Sequence, residues 1–296
     1  MVAFLLVAGT VSNSRAECED YSPCVCGQDA LGNLYVNCID VLPVDIQGAF
    51  NKTTAQDIYS LVLILPAAGG NIPADLLSGK RALIIDLLGP NSDFQLVMDP
   101  AAIRSSSNYT KQLVISKCNL SLMDFTFLRG FARLEELRLD YATNIKPVEK
   151  LPPLVSLSGL TIDNSRGFEA LVDFPAIAFS RLSRLYLYND DLNDESLAII
   201  LNAFVSAPSA SATLEVLALG NNRITRAPEQ IGFFPSILDV ALTKNNISLI
   251  TAGAFSLSAP GIRSIYLNNN SLNAIEPNSF QGFFPLSGYS SDNDNL

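Results

Sequence analysis

The chain has 296 residues, no histidine, and a net charge of −10 at pH 7 from 29 acidic and 19 basic side chains. Without histidine there is no Ser-His-Asp or Cys-His activation of a nucleophile, and no zinc site that needs an imidazole. Nor does any basic cluster offset the acidity, so nucleic acid and anionic membrane surfaces should repel this chain.

Residues 1–16, "MVAFLLVAGTVSNSRA", read as a signal peptide. The apolar run from Val2 to Val11 is too short to span a bilayer, and Ser14 and Ala16 supply the small residues of a cleavage site before Glu17. A positive leader region is missing. No later segment has the length and apolarity of a membrane span, and no anchor motif ends the chain, so a soluble, secreted, extracellular product is expected.

Residues 17–50 form the next unit. Cys18, Cys24, Cys26 and Cys38 crowd into "CEDYSPCVCGQDALGNLYVNC". In an oxidising compartment such a cluster reads as two disulfides stapling a small N-terminal cap. A four-cysteine zinc site has the right ligand count and is the competing reading, disfavoured in a secreted chain. Sequons at Asn51, Asn108, Asn119, Asn246 and Asn269 agree with that compartment and mark candidate glycosylation sites.

From residue 51 to 296 the chain repeats itself. Strand cores fall near Leu61–Leu63 and Ile85–Leu87, each followed by a Gly/Pro-rich expansion, and "LYVNC" supplies a first strand within the cap. "TKQLVISKCNL" follows from Thr110, then "LEELRLDYATNI" from Leu134, with one extra residue before Ile145. "LSGLTIDNSRG" from Leu157 and "LSRLYLYNDDL" from Leu182 continue the series. A connection of 32 residues then carries "NDESLAIILNAF", whose Leu197, Ile200, Leu201 and Phe204 predict a helix capped by Asn193 or Asp194. Three segments after it align cleanly: "LEVLALGNNRI" from Leu214, "ILDVALTKNNI" from Ile237 and "IRSIYLNNNSL" from Ile262, at spacings of 23 and 25 residues. Each has the form L-x-x-L-x-L-x-x-N-x-L. In the tail, Leu286, Tyr289, Asp294 and Leu296 keep the register in degenerate form.

This is the leucine-rich repeat. Its fold class is an α/β solenoid: a horseshoe with a parallel concave sheet, short turns outside and one longer helix on the convex side. The L-x-L core is a short strand whose leucines point inward while the flanking residues face out. No repeat buries its own leucines, so stability comes from neighbouring coils. The Asn position has a separate reason. Where the chain leaves the strand, buried backbone groups lack a ladder partner, and an amide side chain can donate to some and accept from others. Asn222, Asn245 and Asn270 occupy that slot, and the register puts Cys118 in it as well. A thiol is small, tolerates burial and donates one weak hydrogen bond. Cys118 therefore reads as a buried structural residue rather than an exposed or bridging thiol.

Within that class, "SPCVCGQDALGNLYVNC" followed by loose early repeats resembles arthropod proteins similar to the non-catalytic subunit of the oplophorus-type secreted luciferase. The resemblance implies an extracellular, non-enzymatic subunit that binds or stabilises a partner, without implying luminescence here. It also implies that the cap pairs first with third and second with fourth cysteine, Cys18–Cys26 and Cys24–Cys38.

The leading expectation is a binding scaffold, with no catalytic residue, cofactor or metal, whose concave face recognises a secreted or cell-surface protein or a glycan. The outward positions of the early strands are apolar: Val62, Ile64, Ile84, Leu88 and Val114. Such a face is either a binding surface or one covered by neighbouring insertions such as "PAAGG". The middle strands present Arg138, Asp140, Asp163, Arg184, Tyr186 and Tyr188, the candidate partner site. Two alternatives stand beside this. A glycan-acting enzyme, or a calcium site, could use the carboxylates of "DDLNDE". A structural matrix protein would self-associate through its C-terminal end.

Overall fold

The computed structural model describes residues 18–255 and 261–280, so the leader and the degenerate tail lie outside the described residues. Eleven strands form one sheet: β1 Val25–Gln28, β2 Leu34–Ile39, β3 Asp57–Ile64, β4 Arg81–Leu88, β5 Gln112–Ser116, β6 Glu136–Asp140, β7 Gly159–Asp163, β8 Arg184–Tyr188, β9 Val216–Ala218, β10 Asp239–Ala241 and β11 Ser264–Tyr266. They lie side by side in chain order. Only β1 runs antiparallel, hairpinned onto β2; every later neighbour is parallel. A parallel neighbour needs a crossover, and here each crossover is one turn of the solenoid. The fold is the leucine-rich-repeat horseshoe.

The inward row of each strand is aliphatic and wholly buried: Leu61 and Leu63, Ile85 and Leu87, Leu113 and Ile115, Leu137 and Leu139, Leu160 and Ile162, Leu185 and Leu187. Burying a side chain of this size contributes roughly 1.5–3 kcal/mol. The same residues recur at the same register in coil after coil, so the core is one continuous column.

At the N-terminal end, Cys18 is bonded to Cys26 and Cys24 to Cys38. Helix α1, Pro43–Lys52, follows with Pro at its first turn and Ile46, Ala49 and Phe50 turned into the core. Phe50 meets Tyr21 edge to face at 5.5 Å, which carries the stapled segment onto the first coil. Helix α2, Asp194–Val205, occupies the long connection. The Asn193 side chain accepts from Ser196 N–H at 2.9 Å, and Leu197, Ile200, Leu201 and Phe204 form its buried stripe. Phe204 lies between Phe174 and Phe234, at 5.8 and 6.3 Å between ring centres, so the helix rests on an aromatic spine. A four-residue helix, Pro208–Ser211, closes the connection. The other outer segments are turns and single 3-10 turns, and Phe255 is buried beneath one of them.

The turn off each strand follows one rule. The residue before the Asn slot has positive φ in seven consecutive coils: Lys117, Tyr141, Asn164, Asn189, Asn221, Lys244 and Asn269, at 50–59°. A left-handed residue there swings the next side chain inward, so the slot holds Cys118, Ala142, Ser165, Asp190, Asn222, Asn245 and Asn270 in succession. Asn222 shows the full pattern. Its oxygen accepts from Asp190 N–H and Leu192 N–H, and its nitrogen donates to the carbonyls of Leu187, Leu219 and Gly220. Asn245 and Asn270, one and two coils on, repeat the nitrogen's bonds to their own and the preceding coil, each oxygen accepting one N–H, from Ile224 and Ile247. The extra residue in "LEELRLDYATNI" is accommodated after the slot, which falls to Ala142. Its N–H is satisfied by the Ser165 hydroxyl at 3.1 Å.

Two expected outcomes follow from this packing. Asn222→Leu leaves interior backbone groups without partners and should cost at least about 1–3 kcal/mol, read as a lower midpoint in denaturant. Cys118 is fully buried, its thiol donates to the Ser116 carbonyl at 3.1 Å, and burial pushes its pKa up to about 12. It should therefore be inert to thiol reagents in the folded protein and react stoichiometrically in denaturant. Rapid labelling of the native thiol would refute that placement.

Candidate functional site

The outward faces of the strands carry the candidate site, and register fixes which side chains are neighbours. One row runs Val62, Asp86, Val114, Arg138, Thr161, Tyr186, Ala218, Ala241, Tyr266 across β3 to β11. A second row runs Ile64, Leu88, Ser116, Asp140, Asp163, Tyr188. Adjacent strands lie ~4.8 Å apart. The face thus passes from an apolar N-terminal third, through an acidic middle, to a pair of tyrosines.

The middle is wired together. Arg138 donates to Asp140 at 2.5 Å and its guanidinium lies 3.9 Å from Asp163. Asp163 also accepts from the side chains of Asn164 and Asn189 at 2.8 and 3.0 Å. Arg184 reaches back across β7 to Glu136. That bridge passes over Gly159, where any Cβ would collide with the Glu136 carboxylate. Tyr186 and Tyr188 stack with 6.4 Å between ring centres, and the Tyr188 ring lies against Gly220 of the next coil.

One expected surface residue is not on the surface. Asp140 is buried, only 4 % exposed, because Arg138 folds onto it; its second oxygen has no hydrogen-bond partner. Burial raises its pKa, opposed by the hydrogen bond and charge of Arg138. Asp140 therefore supports Arg138 rather than offering a contact of its own. Arg138, Asp163, Arg184, Tyr186 and Tyr188 are all partly exposed on one patch.

The sequence reading left out Asp86, Glu136 and Tyr266, although each stands at an outward position of its strand. Asp86 is raised to about 6, first by burial among apolar neighbours and then by Asp140, with Arg138 opposing. Tyr266 is 49 % exposed at the far end of the same row. The apolar third is partly buried at Val62, Ile64, Ile84, Leu88 and Val114, and Ile39 of β2 extends it as an exposed residue.

The carboxylates of "DDLNDE" do not converge. Asp190 points into the core, Asp191 pairs with Arg223 at 3.1 Å, and Asp194 bonds Thr225. Among the described residues no group of three or more His, Cys, Asp or Glu side chains is placed to hold a metal. No described helix is long and apolar enough to cross a membrane.

The sequon asparagines lie off this patch. Asn51, Asn108, Asn246 and Asn269 are exposed. Asn119 is half-buried, its side-chain oxygen accepting from Ser121 N–H at 2.9 Å and Asn144 at 3.0 Å.

Comparison with family models gives no match, and comparison with the curated proteins gives none. Solved structures do match. TLR13, solved as a complex with ssRNA13, superposes with a TM-score of 0.51 at 20% identity, over 77% of this chain and 35% of that one. This chain thus spans about a third of the TLR13 chain. An internalin from Listeria monocytogenes matches with a TM-score of 0.44 at 16% identity, over 86% of this chain and 85% of that chain. Drosophila Toll, from its complex with Spatzle, matches with a TM-score of 0.42 at 12% identity, over 82% of this chain and 36% of that chain. At such identities the likeness concerns the fold.

Proposed function

We propose that this chain is a secreted, extracellular, non-enzymatic binding protein whose concave sheet recognises a protein partner, as the non-catalytic subunit of a secreted complex. One observation carries the reading. Four partly exposed side chains of the types enriched among binding hot spots, Tyr186, Tyr188, Arg138 and Arg184, lie with Asp163 on three adjacent strands. Their ion pairs and ring stacking hold them in place before a partner arrives, which lowers the ordering cost of association.

The surface also suggests the partner's chemistry. The apolar row from Ile39 through Ile64 to Leu88 adjoins Asp86, so a segment pairing aliphatic side chains with a lysine or arginine complements it. Nucleic acid does not, since carboxylates face outward where phosphates would have to lie. Two disulfides and the apolar leader support export. Glycans at Asn51, Asn108, Asn246 and Asn269 would decorate the rim and outer surface and leave the tyrosine patch open. At Asn119 the half-buried side chain disfavours attachment.

Affinity capture from the secreted fluid of the source, with wild type and variants side by side, tests the reading. Tyr186→Ala combined with Tyr188→Ala should weaken capture of a specific partner by more than tenfold with the melting temperature nearly unchanged. If capture survives that pair but fails with Ile64→Asp and Leu88→Asp, the site lies on the early strands. Survival of capture in both variants would refute the concave site.

A further inference from the structure

Asp190 is the one carboxyl group among the slot residues of the interior ladder. It is 1 % exposed, and its Oδ1 accepts from Ser165 N–H at 2.8 Å, the role that the Asn222 oxygen plays for Asp190 N–H at 3.0 Å. The carboxyl oxygen Oδ1 is therefore the counterpart of the amide oxygen. Its partner Oδ2 is then the counterpart of the amide nitrogen. In Asn222, Asn245 and Asn270 that nitrogen donates to the carbonyl three residues back and to the corresponding carbonyl of the preceding coil. For Asp190 the same register gives Leu187 and Ile162. An ionised Oδ2 would set an anionic oxygen against two carbonyl oxygens away from water, and as a carboxylate oxygen it has no hydrogen-bond donor.

We propose that Asp190 stands in the ladder as a neutral carboxylic acid, its Oδ2–H replacing the asparagine N–H, and that ionising it in alkaline solution loosens the junction between β7, β8 and β9. The proton is the element that completes the ladder between Ser165 and Asn222.

The surroundings agree. From β7 the facing charge is Asp163, from β6 it is Asp140, and Asp191 adjoins on the same turn; all three are acidic. The nearby cations are engaged elsewhere: Arg138 with Asp140 and Asp163, Arg184 with Glu136, Arg223 with Asp191. On the β9 side stands Asn222, which is uncharged. Burial first, then these carboxylates, push Asp190 from its ordinary 3.8 up to about 9, against the pull of the Ser165 N–H. The sign follows. Well below pH 3.8 both folded and unfolded chains hold the proton and the contribution to stability is fully present. As pH rises the unfolded chain releases it while the folded chain keeps it, and the contribution is lost on the way up to about pH 9. Asp86, raised to about 6, acts in the same direction but is spent by pH 7.

Asp190→Asn isolates the effect, because asparagine already fills this slot in three later coils. Melting temperatures of wild type and Asp190→Asn should converge below about pH 3, and the variant should become progressively more stable than wild type from pH 4 to 9. The carbon-13 chemical shift of the Asp190 carboxyl, assigned by its loss in the variant, should report a protonated group at pH 7. An ionised carboxyl at pH 7, or a difference in melting temperature that does not change with pH, would overturn the proposal.

Discussion

A parallel sheet built from one-turn coils leaves a backbone problem at the end of every strand, and the rest of this molecule depends on how that problem is met. The strand must stop, the chain must turn, and the peptide groups at the turn are already inside the core. Seven coils in a row turn on the same left-handed residue, and in all but the one whose slot is Ala142 the next side chain turns inward to bond the groups so exposed. Where the slot holds asparagine its oxygen and nitrogen both take part, bonding N–H and carbonyl groups of two coils. Serine and cysteine complete fewer of them and alanine none, and backbone bonds between coils, such as Lys117 N–H to the Asp140 carbonyl, take up part of the remainder. Regular turns set the strand spacing, and regular spacing puts the outward side chains in register. The surface is thus a product of an interior hydrogen-bond pattern.

Much of this was legible in the sequence. The leucine positions recur at the right offsets, and the buried stripe of α2 stands at helical spacing, because burial is what imposes those periods. The turn rule was less visible. Asparagine stands before the slot in four of the seven coils, but lysine and tyrosine hold the same conformation at Lys117, Lys244 and Tyr141, and nothing in their chemistry announces it. The candidate site was read in outline and missed in detail for a related reason. Register alone predicts which side chains leave the sheet on the outer face. It does not predict that Arg138 lies down over Asp140 and buries it, or that Arg184 leans across a glycine to find Glu136. Those are cross-strand choices between partners far apart in the chain, and a strand-by-strand pattern contains no record of them.

The two ends of the inner face differ in kind. Toward the cap, apolar side chains lie partly covered by each other, and a carboxyl group among them, Asp86, is held where water reaches it poorly. Toward the middle, the charges are numerous and paired. A protein docking here would meet a surface that rewards apolar contact at one end and polar registration at the other, which would favour one docking direction over its reverse.

The bridge from Arg184 to Glu136 has a consequence for how the array comes apart. In a solenoid each coil touches its immediate neighbours, so disruption at one end tends to spread inward one coil at a time, like a zip. This ion pair skips a coil, binding β6 to β8 over the gap that Gly159 leaves in β7. Both partners are 38% exposed, so the pair adds at most about 1 kcal/mol. Its effect is on connectivity. The three coils under it are tied by one more link than contacts between neighbours provide, so fraying from either end meets a small added resistance where the block that carries the tyrosine pair begins.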